Sequence, residues 1–123
     1  MLVRLDVAGP RHGGASASCE RLFEVTLRGL REEAGTDAAA AATVRRADAT
    51  YDAQHADPAD PGRLRTALDV LGVPPGEERV PPSWRTTIAD VAADLDVIDL
   101  PVLVEAWARS VAEDWTALGS TRR

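Results

Sequence analysis

The chain has 123 residues and carries 14 basic and 20 acidic side chains, which gives a formal net charge of −6 at pH 7. This length suits one domain with one hydrophobic core and excludes a two-domain enzyme. Hydrophobic residues make up 45% and charged residues 28%, which is typical of a globular protein and not of a disordered one. The acidic balance argues against nonspecific binding to nucleic acids or anionic membranes.

Composition also bears on the compartment. No apolar run reaches the roughly 18 to 20 residues that a membrane-spanning helix needs, and the N-terminus lacks the apolar core of a signal peptide. The single cysteine, Cys19, cannot form an internal disulfide. We therefore expect a cytoplasmic protein. All basic residues are Arg and the chain has no Lys and no Asn, a bias typical of a GC-rich bacterial genome.

The N-terminal residues alternate between apolar and polar side chains. Val3, Leu5 and Val7 fall on one face, which predicts a short strand over residues 3–7 that ends at Gly9 and Pro10. A loop rich in Gly and Ser follows over residues 11–18. Because one strand leaves its backbone hydrogen bonds unmade, it must pair with a second copy, pair with a partner or lie against helices.

Two helices are predicted after this loop. The first begins after Ser18 as N-cap and reaches about Ala34, and its apolar stripe consists of Cys19, Leu22, Phe23, Leu27 and Leu30. The second is capped by Thr36 or Asp37 and reaches about Ala56. Its stripe is small, so a neighbouring helix must approach it closely; the stripe consists of Ala40, Val44, Ala47 and Tyr51.

Three more helices are predicted in the second half of the chain. Asp60 as N-cap and Pro61 begin a short helix that Gly72 ends. Residues 73–82 are rich in Pro and are the best place for a subdomain break. Ser83 is the predicted N-cap of the next helix, whose buried face would consist of Trp84, Ile88, Val91 and Leu95.

The last helix has the clearest apolar pattern in the sequence. Asp99 caps it, Pro101 is tolerated in its first turn, and Gly119 would end it. Its stripe consists of Leu100, Val104, Trp107, Val111, Trp115 and Leu118. The predicted architecture is therefore an all-α, single-domain bundle of about five helices with one short N-terminal β-strand.

The stretch Thr87-Ile88-Ala89-Asp90-Val91-Ala92, followed by Val97 and Val102, resembles the helix-turn-helix of lactose-repressor-type regulators. This resemblance implies a transcriptional regulator that reads DNA with residues 87–105. The usual turn glycine would fall at Asp96. The residues that the second helix would present to the groove are Asp99, Leu100, Pro101, Leu103 and Glu105. Residues 86–118 hold seven acids and one base, Arg109, and phosphate backbones repel such a segment.

The N-terminal strand, loop and helix have the order of a phosphate-cradling unit. A Gly-rich loop and a helix N-terminus offer backbone N–H groups to an anion. The candidate anion-binding residues are Arg11, His12, Gly13, Gly14 and Ser16. The chain lacks both common phosphate-binding glycine motifs, and an ordinary loop with a Ser cap remains the alternative.

Other candidates for chemistry are weaker. His55, Asp57 and Asp60 could hold a metal, but the same stretch reads as a helix-breaking linker, and we predict no metal and no other cofactor. Asp90 and Asp94 share a helix face, as solvated carboxylates often do. Cys19 lies on an apolar stripe and is interpreted as a small buried hydrophobe and not as a nucleophile. We predict no catalytic residues.

The final stripe supports the leading hypothesis for function. The partner-binding candidates are Leu100, Val104, Trp107, Val111 and Trp115, because Trp is enriched at interface hot spots and the stripe suits helix docking. Burial of the same stripe in the core of the monomer is the alternative. The sequence therefore favours a non-catalytic interaction module or small accessory subunit that binds a protein partner or a second copy of itself, with no nucleic acid and no membrane.

Overall fold

The computed structural model describes residues 17–56, 59–74, 81 and 83–121. Within these residues the chain is mostly helical and contains no strand. The five helices are α1 (Ala17–Glu33), α2 (Ala38–Gln54), α3 (Pro61–Leu71), α4 (Ile88–Ala93) and α5 (Leu100–Thr121). The helical fold class is thus confirmed, whereas the strand predicted over residues 3–7 lies outside the described residues.

Helix α2 is the centre of the bundle. It contacts α1, α3 and α5, and its buried side chains include Ala40, Ala47, Ala49, Tyr51 and Ala53. The small side chains let neighbouring helices approach, as the sequence predicts. Asp37 is the N-cap, and its carboxylate accepts a hydrogen bond from the backbone N–H of Ala39 over 3.0 Å.

The start of α1 differs from its prediction, whereas both ends of α3 agree with theirs. Helix α1 begins at Ala17, so Ser18 lies inside the helix and is not its N-cap as predicted. Helix α3 agrees with the prediction at both ends. The Asp60 carboxylate accepts from the N–H of Arg63, and Gly72 ends the helix with a left-handed φ of 82°.

Helix α4 differs from its prediction. It begins at Ile88, not after Ser83, and has six residues. The backbone N–H of Thr87 donates to the Asp90 carboxylate over 2.9 Å, which fixes the start of the helix. The preceding segment is held by side chains from elsewhere: Arg85 donates to Asp114 over 2.8 Å and to Glu113 over 2.9 Å. Leu95, predicted on the buried face, lies beyond the helix end and is exposed.

Helix α5 passes through Gly119 and reaches Thr121, so the predicted end at Gly119 is wrong. Its inward face contributes to one core together with residues from all the other helices. Both tryptophans on this face also make hydrogen bonds, Trp107 to Gln54 and Trp115 to the carbonyl of Ala53. Helices before and after residues 73–82 contribute to this same core.

In the described part of the chain, no helix combines the length and the apolar character that crossing a membrane requires.

Candidate interaction site

The connection between α4 and α5 is a series of tight turns. The carbonyl of Asp94 accepts hydrogen bonds from the backbone N–H groups of Val97 and Ile98, each over 3.0 Å. The carbonyl of Asp99 then accepts from Val102 and Leu103 over 3.1 Å, which begins α5. Because backbone groups satisfy one another here, the turn keeps its shape without burying its side chains.

This connection exposes large apolar side chains. Val97 is 80% exposed and Val102 is 58% exposed, and Leu95 and Ile98 are each 38% exposed. We call these four residues the apolar patch. Among the described residues only one other large hydrophobic side chain is exposed, Val25 on α1. Isolated exposed hydrophobic residues are common, whereas a cluster within eight positions marks a candidate contact surface.

Carboxylates border the apolar patch. Asp94, Asp96 and Asp99 are all exposed, and no ion pair joins any of them to a basic side chain within the described ranges. We call these three residues the acidic rim. The acids of α5 itself are paired, since Arg46 pairs with Glu105 over 2.9 Å and Arg85 pairs with Glu113 and Asp114. Among the described residues, the rim therefore places negative charge without a basic partner beside apolar surface.

A groove continues the apolar patch along the outer side of α5. It has a volume of about 430 Å³ and is lined by Thr43, Pro101, Val102, Glu105, Ala106 and Arg109. Val102 belongs to both the patch and the groove. A groove of this size beside exposed apolar residues can receive a bulky side chain of a partner.

The partner-binding residues predicted on the α5 stripe occupy a different environment. Leu100 is half-buried, and the other four side chains are at most 5% exposed; these are Val104, Trp107, Val111 and Trp115. Of the two interpretations of this stripe, its burial favours the core of the monomer. The reason is that α1, α2, α3 and α4 together supply enough apolar surface to cover the inward face of α5.

The segment that resembles a helix-turn-helix does form two helices joined by a turn. Ile88 and Val91 of the first helix are buried, and the inward face of the second is the core of the protein. Asp96, at the position of the usual turn glycine, lies in the turn, and no described residue other than Gly72 has a positive φ. The first two turns of α5 expose Pro101, Val102 and Glu105, whose side chains offer no hydrogen-bond donors to base edges.

The remaining candidates divide into two groups. The anion-binding candidates lie outside the described residues; these are Arg11, His12, Gly13, Gly14 and Ser16. Of the metal candidates, Asp57 also lies outside, Asp60 caps α3, and the described residues contain no group of three acidic, His or Cys side chains placed to hold a metal ion. The carboxylate of Asp90 caps α4, and Asp94 is exposed.

Sequence reasoning missed the apolar patch because it placed Leu95 inside a longer helix. Acidic and apolar residues alternate over Asp94-Leu95-Asp96-Val97, which does not match the 3.6-residue period of a helix. That break in periodicity was the available sign that α4 ends early. It also separates the patch from the regular stripe of α5.

Comparison with known proteins gives one partial similarity. Neither the curated proteins nor the solved structures contain a significant match to this chain. Residues 65–116, which are less than half of the chain, match the model of a family described as "Family of unknown function (DUF5946)". The matched segment runs from α3 into α5 and includes the apolar patch, so the chain is similar there to a family that carries no assigned activity.

Proposed function

We propose that this protein is a non-catalytic interaction module that binds a partner protein through the apolar patch. The observation that carries the proposal is the clustering of exposed side chains. Of the five large hydrophobic residues that are exposed in the described part of the chain, four lie within residues 95–102. Exposing such a cluster to water raises the free energy of the domain, and covering the cluster with a partner lowers it again.

The acidic rim determines the chemistry of the partner. Asp94, Asp96 and Asp99 stand beside the patch and form no ion pair with a basic side chain in the described part of the chain, so a complementary surface carries apolar residues flanked by Arg or Lys. A second copy of this chain fits less well, because it would bring another acidic rim to the same interface. An amphipathic basic helix of a different protein is therefore the occupant that we propose.

The groove beside α5 supports the same occupant. It begins at Val102 and continues past Ala106 to Arg109, along one side of the helix. A helix that lies on the patch could place one large side chain into this groove, as buried hot-spot residues do in helix-in-groove complexes. Duplex DNA is disfavoured at this surface because phosphate contacts need basic side chains, and the rim carries the opposite charge.

The direct test uses two synthetic amphipathic helical peptides, one of Leu and Lys and one of Leu and Glu, each carrying a fluorophore. We expect the Leu/Lys peptide to bind the full chain, as measured by fluorescence anisotropy, and the Leu/Glu peptide to bind at least about tenfold more weakly. Binding of the Leu/Lys peptide should weaken with added salt, since it includes exposed charges.

Matched variants locate the surface. The double variant Val97→Ser/Val102→Ser should weaken Leu/Lys peptide binding by about tenfold or more, whereas Val25→Ser, which changes an exposed Val of α1 outside the patch, should leave it within about twofold. The charge variant Asp94→Asn/Asp96→Asn should also weaken binding and reduce its salt dependence. Glu32→Gln/Glu33→Gln on α1 is its control.

Three outcomes would contradict the proposal. Equal binding of the two peptides would show that the acidic rim does not select the partner. Binding that is unaffected by Val97→Ser/Val102→Ser would show that the apolar patch is not the binding surface. A concentration-dependent dimer in sedimentation that this double variant abolishes would identify a second copy as the occupant in place of a foreign protein.

A further inference from the structure

Cys19 and His55 face each other although 36 positions separate them in the sequence. Cys19 lies in the first turn of α1, and His55 is the residue directly after α2. The distance from the Cys19 Sγ to the His55 Nε2 is 3.4 Å. Both residues are half-buried, and Cys19 packs against the edge of the core, so its thiol is less buried than the expectation of a small buried hydrophobe implies.

The imidazole of His55 is fixed in one tautomer. Its Nδ1 lies 2.7 Å from the backbone carbonyl oxygen of Tyr51. A carbonyl oxygen only accepts hydrogen bonds, so Nδ1 carries the proton and donates it. In the neutral imidazole the lone pair is then on Nε2, the nitrogen that faces the Cys19 thiol.

Aromatic packing holds this imidazole in place. The rings of Tyr51 and His55 have centroids 4.1 Å apart. The ring of Phe23 stacks on the ring of Tyr51, with centroids also 4.1 Å apart and an interplanar angle of 6°. Phe23 in turn contacts the buried Trp107 edge-on at 6.1 Å. The imidazole of His55 is thus oriented by a continuous series of ring contacts that reaches the core.

The position of Cys19 favours its ionised form in two ways. A thiolate, and not a thiol, is the reactive nucleophile, and an adjacent imidazole can accept the thiol proton. The backbone N–H groups at the start of α1 add partial positive charge near the sulfur. A Cys at a helix N-terminus beside a His of fixed tautomer is the arrangement that activates cysteines in enzymes and redox sensors.

We propose that Cys19 and His55 form a reactive thiol site that exchanges with disulfides of low molecular mass. The thiol proton moves to the His55 Nε2 and the thiolate attacks one sulfur of the disulfide. A new S–S bond forms to Cys19 while the original S–S bond breaks, and the leaving sulfur takes the bonding electron pair and then the proton from His55. Cys19 ends as a mixed disulfide, and the other half of the reagent is reduced to a thiol.

The test uses the neutral disulfide 4,4′-dithiodipyridine and the full chain. Since Cys19 is the only cysteine in the chain, the release of thiopyridone reports on this site alone. Near pH 7 we expect the native protein to react about tenfold or more faster than N-acetylcysteine amide, and His55→Gln to lose that advantage. Near pH 10, where a thiol ionises without a base, the native protein and His55→Gln should react at similar rates.

Control measurements separate reactivity from folding. Circular dichroism and thermal unfolding check that His55→Gln is folded, and Glu32→Gln, an exposed change near the opposite end of α1, should retain the fast reaction. The pH dependence of the native protein requires no variant at all. The proposal is overturned if the native protein reacts no faster than the free thiol near pH 7, or if folded His55→Gln reacts equally fast. Tight binding of Co²⁺ with a thiolate charge-transfer band would overturn it in favour of a metal site.

This inference is independent of the proposed interaction function, because Cys19 and His55 lie on α1 and after α2 whereas the apolar patch lies between α4 and α5. Failure of either experiment leaves the other unaffected.

Discussion

The indole Nε1 of Trp107 donates a hydrogen bond to the side-chain oxygen of Gln54 over 3.1 Å, and both groups lie inside the bundle. The amide nitrogen of the same Gln54 donates to the carbonyl of Thr86 over 2.7 Å. One buried side chain therefore connects α2, α5 and the segment before α4. It satisfies the N–H of the buried Trp107 and the backbone carbonyl of the half-buried Thr86.

The variant Gln54→Leu should destabilise the protein by about 1–3 kcal/mol, because it leaves the Trp107 N–H and the Thr86 carbonyl without their hydrogen bonds. Unfolding in guanidinium chloride measures the loss. The double variant Gln54→Leu/Trp107→Phe removes donor and acceptor together and should lose less than the sum of the two single variants. Strict additivity would show that this hydrogen bond contributes nothing.

Trp107→Ala tests whether the α5 stripe belongs to the core. The side chain is fully buried, so its removal should cost about 3–5 kcal/mol of unfolding free energy and lower the melting temperature. The control is Val102→Ala on the exposed side of the same helix, for which we expect a change within about 0.5 kcal/mol. A folded Trp107→Ala protein of unchanged stability would contradict the burial of the stripe and return it to an interface.

Two glycines should respond oppositely to the same substitution. Gly72 ends α3 with a φ of 82°, a conformation that side chains disfavour, so Gly72→Ala should destabilise the protein by about 1–2 kcal/mol. Gly29 lies inside α1 with open space around a built Cβ, so Gly29→Ala should stabilise it by about 0.5–1 kcal/mol. If Gly72→Ala and Gly29→Ala shift the melting temperature in the same direction, one of the two glycines does not have the backbone conformation described.

Stability should decline at alkaline pH because of Tyr51. Burial raises the pKa of the Tyr51 phenol above its ordinary value, and the negative charge of a nearby Cys19 thiolate raises it further. The unfolded chain loses this proton near pH 10, whereas the folded chain keeps it to higher pH. The contribution of Tyr51 to stability is therefore complete below about pH 10 and is lost progressively above it.

Denaturant unfolding between about pH 8 and 11 measures this decline, and Tyr51→Phe should make it shallower. Tyr51 is the only tyrosine, so the absorbance of tyrosinate in the folded protein reports on it directly. The expectation is wrong if Tyr51 in the folded protein ionises at the same pH as a free phenol and the native protein and Tyr51→Phe lose stability equally as the pH rises.

Local sequence chemistry predicted much of the helical framework. Asp60, Pro61 and Gly72 determine both ends of α3, since an N-cap, a Pro in the first turn and a Gly with positive φ each act within a few residues. The period of the α5 stripe predicted a long helix with one apolar face, and that face is the one buried. Such signals need no knowledge of the rest of the fold.

The start of α4 shows where local reasoning was insufficient. Ser83 is an acceptable cap by itself, yet Arg85 is held by Asp114 and Glu113 of α5, and the carbonyl of Thr86 is held by Gln54 of α2. These contacts keep the segment out of the helix, and Thr87 with Asp90 then begins it. Helix propensity carries no information about a partner that lies 28 to 32 residues away in the sequence.

Periodicity and capping act over a few residues, so the sequence was enough to predict the helical class, the order of the described helices and the apolar face of the last helix. Packing of the helices placed the tryptophans of that face in the core, left the apolar patch exposed and brought Cys19 into contact with His55. These outcomes depend on which surfaces the packed helices cover and which distant side chains they bring within contact, and both are properties of the assembled bundle.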